Sequence, residues 1–169
     1  MKIIYLLLIL AIGSSQFLNG QAYDGRFDHK LFIGYENVKS RSGIEVQYDG
    51  GLSDFVSYGL QASYVSVNDS IVKQSDSFFK TNYDVGAFLR LHISGVFKMS
   101  SNIDPYLGLG LGANSADAHI GLKYNFNEQF GLYGQYKYVY ANGMQTILGV
   151  NSFFNKKNIF NVGVTINIF

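Results

Sequence analysis

The sequence predicts an all-β protein, a single eight-stranded antiparallel up-and-down transmembrane β-barrel. The 169-residue chain contains 19 Gly, 13 Tyr and 14 Phe but one Pro and no Cys, a composition that favours strands and turns over helices. Apolar side chains recur at every second position in eight segments after Arg26. The opposite face of these segments collects glycines and charged residues, which suits the crowded polar interior of a small barrel.

The N-terminus is typical of a secretory signal peptide. Lys2 precedes an apolar run over residues 3–12 and a polar stretch that ends in Gly20, Gln21 and Ala22. This run is too short to cross a hydrocarbon core of about 30 Å as a helix. We therefore expect a signal peptide over residues 1–22 and one outer-membrane β-barrel domain over residues 23–169. Cleavage after Ala22 is slightly favoured over cleavage after Gly20, because small residues then occupy the usual positions.

The composition excludes several kinds of function. A formal net charge of +1 gives no overall field that would attract nucleic acid, so no nucleic-acid partner is expected. The absence of Cys excludes disulfides, thiolate metal sites and a lipid-modified N-terminal cysteine. The histidines at positions 29, 92 and 119 lack metal-ligand spacing. We expect no metal and no other cofactor.

The first four strands are predicted over residues 30–36, 43–49, 55–65 and 83–93. In each of them the apolar side chains occupy alternate positions, as a strand with one greasy face requires. The fourth is the most regular, with six apolar side chains in step. The apolar faces are, in chain order, Leu31, Ile33 and Tyr35; Ile44, Val46 and Tyr48; Tyr58, Leu60, Ala62 and Tyr64; and Tyr83, Val85, Ala87, Leu89, Leu91 and Ile93.

The last four strands are predicted over residues 107–112, 118–126, 130–140 and 159–169. In the fifth, three leucines alternate with three glycines, and in the eighth, branched aliphatic residues alternate with small or polar ones. The apolar faces are Leu107, Leu109 and Leu111; Ala118, Ile120, Leu122, Tyr124 and Phe126; Leu132, Tyr136, Tyr138 and Tyr140; and Phe160, Val162, Val164, Ile166 and Ile168.

The connections predict which end of the barrel faces outward, since outer-membrane barrels have short periplasmic turns and longer external loops. If the first strand runs outward, the periplasmic turns are residues 50–54, 96–102 and 127–129, and the outer loops are 37–42, 68–80, 114–117 and 141–158. Residues 145–154 are themselves strand-like and form either an extra strand or the arms of a hairpin above the membrane. The hairpin is favoured because bacterial single-chain barrels have even strand numbers.

The strands of a soluble β-sandwich also alternate between apolar and polar residues. The chemistry of the polar face therefore has to distinguish a soluble protein from a membrane barrel. Glycine weakens a strand and is uncommon on a solvent-facing side, yet nine glycines fall on the polar face here. The tyrosines of the apolar face lie mostly near strand ends, where membrane proteins carry aromatic girdles. These features favour a barrel in lipid over a secreted soluble β-barrel.

On these patterns the chain resembles the small outer-membrane β-barrel proteins of Gram-negative envelopes, which have a signal peptide, eight strands and a terminal aromatic residue. The resemblance covers the whole mature chain and rests on a pattern, not on a motif. It implies a location in the outer membrane of a Gram-negative bacterium and contact with outer-membrane lipid. It also implies recognition by the barrel assembly machinery during biogenesis, with Phe169 as the assembly signal.

Six charged residues of the polar face are the candidate site. Because buried opposite charges must pair or lose solvation energy, we predict a salt-bridged plug inside the barrel. An eight-stranded barrel has an interior just wide enough for side chains. The alternative is a gated narrow pore in which these pairs switch. The predicted lumen charge network consists of Glu45, Asp49, Asp84, Arg90, Lys123 and Lys137.

The first functional hypothesis is a structural or surface-binding role, with an unknown extracellular ligand that meets residues 68–80 and 141–158. The alternatives are a narrow gated pore for small solutes, a lipid-modifying enzyme and a secreted soluble β-barrel binding protein. Some eight-stranded barrels are lipid-modifying enzymes that use a His and a nearby Ser, which draws attention to His92 and Ser94. Both should face the lumen, away from outer-leaflet lipid, so no enzymatic activity is expected.

Overall fold

The computed structural model describes residues 21–66, 82–97, 101–147 and 152–168. Within these ranges, eight strands form a closed antiparallel barrel in which each strand pairs with its sequence neighbours and the first pairs with the last. The predicted fold class, a closed eight-stranded antiparallel barrel, is confirmed. The strands are β1 (His29–Val38), β2 (Arg41–Gly51), β3 (Val56–Val65), β4 (Tyr83–His92), β5 (Ile103–Gly112), β6 (Ala116–Asn125), β7 (Phe130–Ala141) and β8 (Asn158–Asn167).

The described part of the chain has three short helices outside the strands. They are a 3-10 helix at Gly25–Phe27, an α-helix, α1, at Ile93–Phe97 and a second 3-10 helix at Gly143–Thr146. None of the helices in the described ranges has the length and apolar character needed to cross a membrane. Most of the predicted signal peptide and Phe169 lie outside the described residues.

The barrel has two distinct ends. β1 begins and β8 ends at the same end, which we call the terminal rim, and the opposite end is the distal rim. β2 is joined to β3, β4 to β5 and β6 to β7 at the terminal rim. β1 is joined to β2, β3 to β4, β5 to β6 and β7 to β8 at the distal rim.

Several strands begin earlier or end later than alternation predicted, most clearly β1, β2 and β5. β1 and β2 continue to the pair Val38 and Arg41, so the predicted loop 37–42 shrinks to a turn of Lys39 and Ser40. Both turn residues have positive φ, 52° and 68°, as a tight hairpin turn that matches strand twist requires. β5 begins at Ile103 instead of residue 107. Its ladder with β4 starts only after Pro105, which agrees with the confinement of proline to strand ends.

The predicted hairpin over residues 145–154 falls partly outside the described residues. Its described part, residues 145–147 and 152–154, contains no strand: residues 145 and 146 belong to a 3-10 helix and residues 153 and 154 to a turn. Phe154 is buried in a distal apolar cluster. Burial of this ring stabilises the described turn against an extended conformation in water. The distal apolar cluster consists of Val38, Val65, Val139, Phe154 and Ile159.

The two faces of the sheet have opposite chemistry. On the outward face, Leu60 is 62% and Leu109 63% exposed, whereas Glu45 and Lys123 on the inward face are 0% exposed. The apolar face of the sheet therefore points outward and the charged face points into the lumen, as alternation predicted. Exposed tyrosines cluster near the strand ends, with Tyr35, Tyr64, Tyr138 and Tyr140 towards the distal rim and Tyr58 and Tyr124 towards the terminal rim.

Interior glycines make room for aromatic rings of the neighbouring strand. Gly121 of β6 pairs with Tyr106 of β5, and Gly59 of β3 pairs with Phe88 of β4. A Cβ atom at either glycine would overlap the partner's ring. Glycine at these two positions leaves space for a large buried ring of the neighbouring strand.

Candidate functional site

Arg90 of β4 is the centre of the polar interior. It is 2% exposed, and every nitrogen of its guanidinium donates a hydrogen bond. Nη1 donates to Asp49 Oδ2 at 2.9 Å, Nη2 to Gln135 Oε1 at 2.9 Å and also to Gln47, and Nε to His119 Nε2 at 3.2 Å. Because an unpaired buried charge is costly, four acceptors from three other strands, β2, β6 and β7, fix this side chain across the lumen.

Aromatic rings surround the same guanidinium. Its carbon lies 4.0 Å from the ring centroid of Phe88, 4.6 Å from that of Tyr106 and 5.1 Å from that of Phe32. Cation–π attraction is strongest when the cation has lost its water. The rings therefore stabilise the positive charge and fill the space around it, so that the middle of the barrel is packed with side chains.

His119 of β6 extends this network to an acid. Since its Nε2 accepts from Arg90, the proton resides on Nδ1, which donates to Asp117 Oδ1 at 2.8 Å. The hydrogen-bond network thus selects one neutral tautomer of His119. Both ring nitrogens of His119 are thus engaged in hydrogen bonds.

A second cluster lies towards the distal rim. Lys137 of β7 pairs with Glu45 of β2 and donates to Gln61 Oε1 at 3.1 Å. Asn161 of β8 donates to the other oxygen of Glu45. This pair connects opposite walls of the barrel, because β2 and β7 are separated by two or more strands in either direction.

Asp84 does not join a cation in the described part of the chain, contrary to the predicted network. Its Oδ1 accepts from the backbone N–H of Asn114 at 2.7 Å, and its Oδ2 accepts from the hydroxyl of Ser115. The carboxylate therefore fixes the connection between β5 and β6. A backbone N–H and a hydroxyl thus satisfy this carboxylate in place of the predicted salt bridge.

A third cluster lies towards the terminal rim. Lys123 of β6 pairs with Asp104 at 3.1 Å and lies 3.9 Å from Asp28, which also pairs with Lys30. Ser94 donates to Asp104 Oδ1 at 2.6 Å. All four charged groups are buried. Their alternation of sign satisfies the requirement that buried charges be paired.

Asp104 also contacts a histidine and, through it, a serine. His92 Nδ1 lies 2.7 Å from Asp104 Oδ2, and His92 Nε2 lies 2.7 Å from Ser57 Oγ. This connectivity is that of a Ser-His-Asp triad. All three side chains are 0% exposed, and Lys123 shares the Asp104 carboxylate. Ser57, and not the Ser94 singled out from the sequence, is the serine next to His92.

An N-terminal strap, residues 23–28, covers this cluster. The Tyr23 ring stacks on His92 with centroids 3.6 Å apart and planes 7° from parallel. Its hydroxyl donates to the carbonyls of Ser53 and Val56, each at 2.7 Å. Burial and the nearby negative charge of Asp28 raise the pKa of Tyr23, so the hydroxyl remains a donor. The strap is thus fixed over His92 near the terminal rim.

We expect Tyr23→Ala to expose His92, because the variant loses the stacked ring and both hydrogen bonds. Carbethoxylation of His92 in the folded, detergent-solubilised protein, followed by peptide mass spectrometry, measures this exposure. A loss of roughly 1.4 kcal/mol in strap closure corresponds to about a tenfold faster reaction. Tyr23→Phe, which keeps the ring, is the matched control and should react at an intermediate rate. Equal rates in all three proteins would show that Tyr23 does not hold the strap.

Five charged residues of the interior were not in the predicted network. Lys30 and Glu36 stood on the polar face of the first predicted strand and were identifiable from that position. Asp28 precedes that strand, Asp104 precedes the predicted start of the fifth, and Asp117 fell in a predicted loop. Correct strand ends would have placed Asp104 and Asp117 inward, because both are in phase with the buried face.

The fold and its interior define a class: small closed eight-stranded β-barrels with an apolar outer surface and a paired polar core. Within that class, the chain belongs to a family of unknown function, DUF6646, whose sequence model matches residues 13–168. A comparison with the curated proteins found no match.

Solved structures with the same fold include designed and natural barrels. A de novo designed transmembrane β-barrel is 10% identical, with 86% of this chain and 98% of that chain covered and a TM-score of 0.57. A second designed barrel, TMB2.3, is 14% identical, with coverage of 86% and 98% and a TM-score of 0.56. The N-terminal β-barrel domain of Pseudomonas aeruginosa OprF is 15% identical, with coverage of 86% and 100% and a TM-score of 0.56. At these identities the likeness is one of fold.

Proposed function

We propose that the protein is a small integral outer-membrane barrel of a Gram-negative bacterium, with a closed lumen and a structural or surface-binding role. The observation that carries this proposal is the polarity of the sheet. Leucines such as Leu89 and Leu109 are 58% and 63% exposed, while Asp104 and Lys123 are 0% exposed. In water this arrangement is unfavourable on both faces. In lipid the outward leucines are solvated by hydrocarbon.

The geometry of the strands supports the same proposal. Seven strands have 10 or 11 residues and β7 has 12, close to the 9–11 residues of a tilted strand that crosses a bilayer. The barrel is closed between β1 and β8, so its sheet has no unpaired edge in hydrocarbon. Exposed tyrosines near both rims suit the two membrane interfaces.

The connections support an orientation with the distal rim outside the cell. The two longest connections, β3 to β4 and β7 to β8, join strand ends at the distal rim, and the described chain ends lie at the terminal rim. Outer-membrane barrels have longer external loops and short periplasmic turns. An extracellular ligand would meet the distal connections. During biogenesis, the barrel assembly machinery would read the C-terminal strand with Phe169 as its signal.

The packed interior supports a closed barrel over a gated pore. The guanidinium of Arg90 and its three aromatic neighbours occupy the middle of the lumen, and Phe154 is buried at the distal end. The burial of Ser57 and His92 beneath Tyr23 supports a role without catalysis, since a nucleophile must reach its substrate. The triad connectivity is accordingly assigned to lumen packing.

Envelope fractionation combined with a gel-shift assay tests the proposal. We expect the protein in the outer-membrane fraction, soluble only with detergent, and migrating faster on a gel before boiling than after it, because a closed barrel resists unfolding by detergent alone. The boiled sample is the unfolded control. A processed chain that dissolves as a monomer in buffer without detergent, with no shift on boiling, would refute the membrane assignment.

A further inference from the structure

Four cationic side chains meet at one place on the distal rim. Lys39 and Arg41 come from the turn between β1 and β2, and Lys156 and Lys157 precede β8. The pairing of Val38 with Ile159 brings the two segments side by side. The side chains of Lys39 and Lys156 are exposed, and that of Lys157 is half-buried. The backbone of Lys156 has a positive φ of 52°.

These cations have no carboxylate beside them in the described distal connections. Residues 39–40, 113–115, 142–147 and 152–157 contain no Asp or Glu. At the terminal rim, by contrast, Asp24, Asp54 and Glu128 are exposed. The described rims thus differ in sign, and the distal one has an uncompensated positive cluster. Like charges held together repel, so this cluster would be stabilised by a bound anion.

Three of these four cations line an open cavity of about 320 Å³. Its polar lining combines three lysines, Lys39, Lys156 and Lys157, with Asn37, Ser40 and Asn158. Lysine ammonium groups act as point-charge donors to phosphate oxygens, and the amide and hydroxyl groups supply further hydrogen bonds. The cavity is larger than one phosphate needs and leaves space for a group to which the phosphate is attached.

The last lining residue, Phe160, indicates what that group is. Its ring is 57% exposed on the outward apolar face and packs against Tyr136 with centroids 5.0 Å apart. The cavity therefore opens where the polar rim meets the apolar belt. A free phosphate would make no use of an exposed aromatic ring, whereas a headgroup that continues into acyl chains contacts both surfaces.

Lys157 is fixed at the wall of this cavity. Its Nζ donates to the carbonyl of Phe153 and lies 3.4 Å from the centroid of that ring. Burial and the neighbouring charges of Lys39 and Arg41 lower the pKa of Lys157 to about 8. A bound anion would oppose both charges and hold the ammonium form.

We propose that this distal basic pocket binds a phosphate group on the headgroup of an outer-leaflet lipid. The proposal rests on the membrane orientation proposed above. It names the ligand class of the surface-binding role, a phosphorylated lipid held laterally at the outer rim, with its phosphate against the lysines and its acyl chains along the outward face next to Phe160.

Binding of lipid A, which carries two phosphates, to the full-length folded barrel in detergent micelles tests the proposal. We expect saturable binding by the wild type and at least about tenfold weaker binding by the double variant Lys39→Gln/Lys156→Gln, because two ionic contacts to phosphate are lost. Both side chains are exposed, so the variant should keep the gel shift on boiling. Arg26→Gln, an exposed cation of the terminal rim, is the matched control and should bind as the wild type does.

Two further experiments test whether the pocket prefers a lipid phosphate to free phosphate and whether binding depends on the protonation of Lys157. Inorganic phosphate at millimolar concentration should compete weakly; if it binds as tightly as lipid A, the pocket serves a free anion and the lipid assignment fails. Binding should weaken between pH 7 and 9, as Lys157 loses its proton beside Lys39, Arg41 and Lys156, and this dependence should disappear in Lys157→Gln.

The outcomes distinguish this proposal from the membrane assignment. Equal lipid A binding by the wild type and the double variant, with the gel shift on boiling intact in both, overturns the pocket and leaves the membrane barrel in place. A protein that is soluble without detergent overturns the membrane assignment, and the pocket's lipid ligand with it.

Discussion

Leu109→Arg is expected to destabilise the folded barrel in a phospholipid bilayer by about 2–4 kcal/mol. Leu109 lies in the middle of β5, paired with Leu89 and Ala118 on either side, and is 63% exposed on the outward face. In the proposed membrane the new guanidinium would replace an isobutyl group in hydrocarbon near the midplane. Reversible urea unfolding in lipid vesicles measures the change in the free energy of unfolding.

Ile147→Arg is the matched control for this experiment. Ile147 is 87% exposed but follows a 3-10 helix at the distal rim, outside all strands. Surface substitutions of this kind usually change stability by no more than about 0.5 kcal/mol. If the outward face met water, both substitutions would have the same negligible effect. A difference between them of less than about 1 kcal/mol would therefore count against a lipid-facing β5.

Arg90→Met is expected to cost about 3–5 kcal/mol of unfolding free energy, the range for removal of one partner from a buried ion pair. Methionine fills part of the space, but Asp49 is left as a buried carboxylate without its cation, and Gln47 and Gln135 lose a donor. The same urea unfolding in vesicles measures the loss. Arg26→Met, at an exposed cation, is the control and should change stability by about 0.5 kcal/mol or less.

A second variant separates charge from packing at this position. Arg90→Met/Asp49→Asn removes the orphaned negative charge and should recover part of the stability lost in the single variant. If the double variant is less stable than the single one, the cost arises from packing instead of from the unpaired carboxylate.

Planar-bilayer recording of the wild type and of Arg90→Ala also tests the gated pore, because a steady conductance that changes in the variant would contradict a closed lumen.

Much of the fold was predictable from the alternation of apolar and polar residues. This period of two arises because one face of each strand contacts an apolar environment and the other a polar one. The inward positions of Glu45, Asp49, Arg90, Lys123 and Lys137 followed from that period. Alternation within a strand predicts which residues point inward, but it does not predict which residues of other strands they contact across the lumen. The pairing of Lys137 with Glu45 and of Arg90 with Asp49 required the closed geometry of the barrel.

The ends of strands and the segments that cover the barrel were less predictable. Pro105 interrupted the pattern of β5, so Asp104 was not recognised as an inward residue, and with it the contact to His92 was missed. Residues 145–154 have strand-like composition, yet the described residues among them, 145–147 and 152–154, contain no strand, and Phe154 is buried in the distal apolar cluster. Tyr23 lies outside any periodic segment, so its stacking on His92 left no trace in the pattern. Tertiary contacts determine these features.

The seam between β1 and β8 joins residues from opposite ends of the sequence, from Lys30 with Asn167 to Val38 with Ile159. Contacts of such long sequence separation form late and slowly, since the intervening loop must close first. Until β8 has paired with β1 and β7, each of those two strands has an open edge whose backbone groups can pair with another chain. A chain interrupted before residue 158 would therefore be prone to aggregation, and the cell would need to protect the nascent sheet until its final strand is in place.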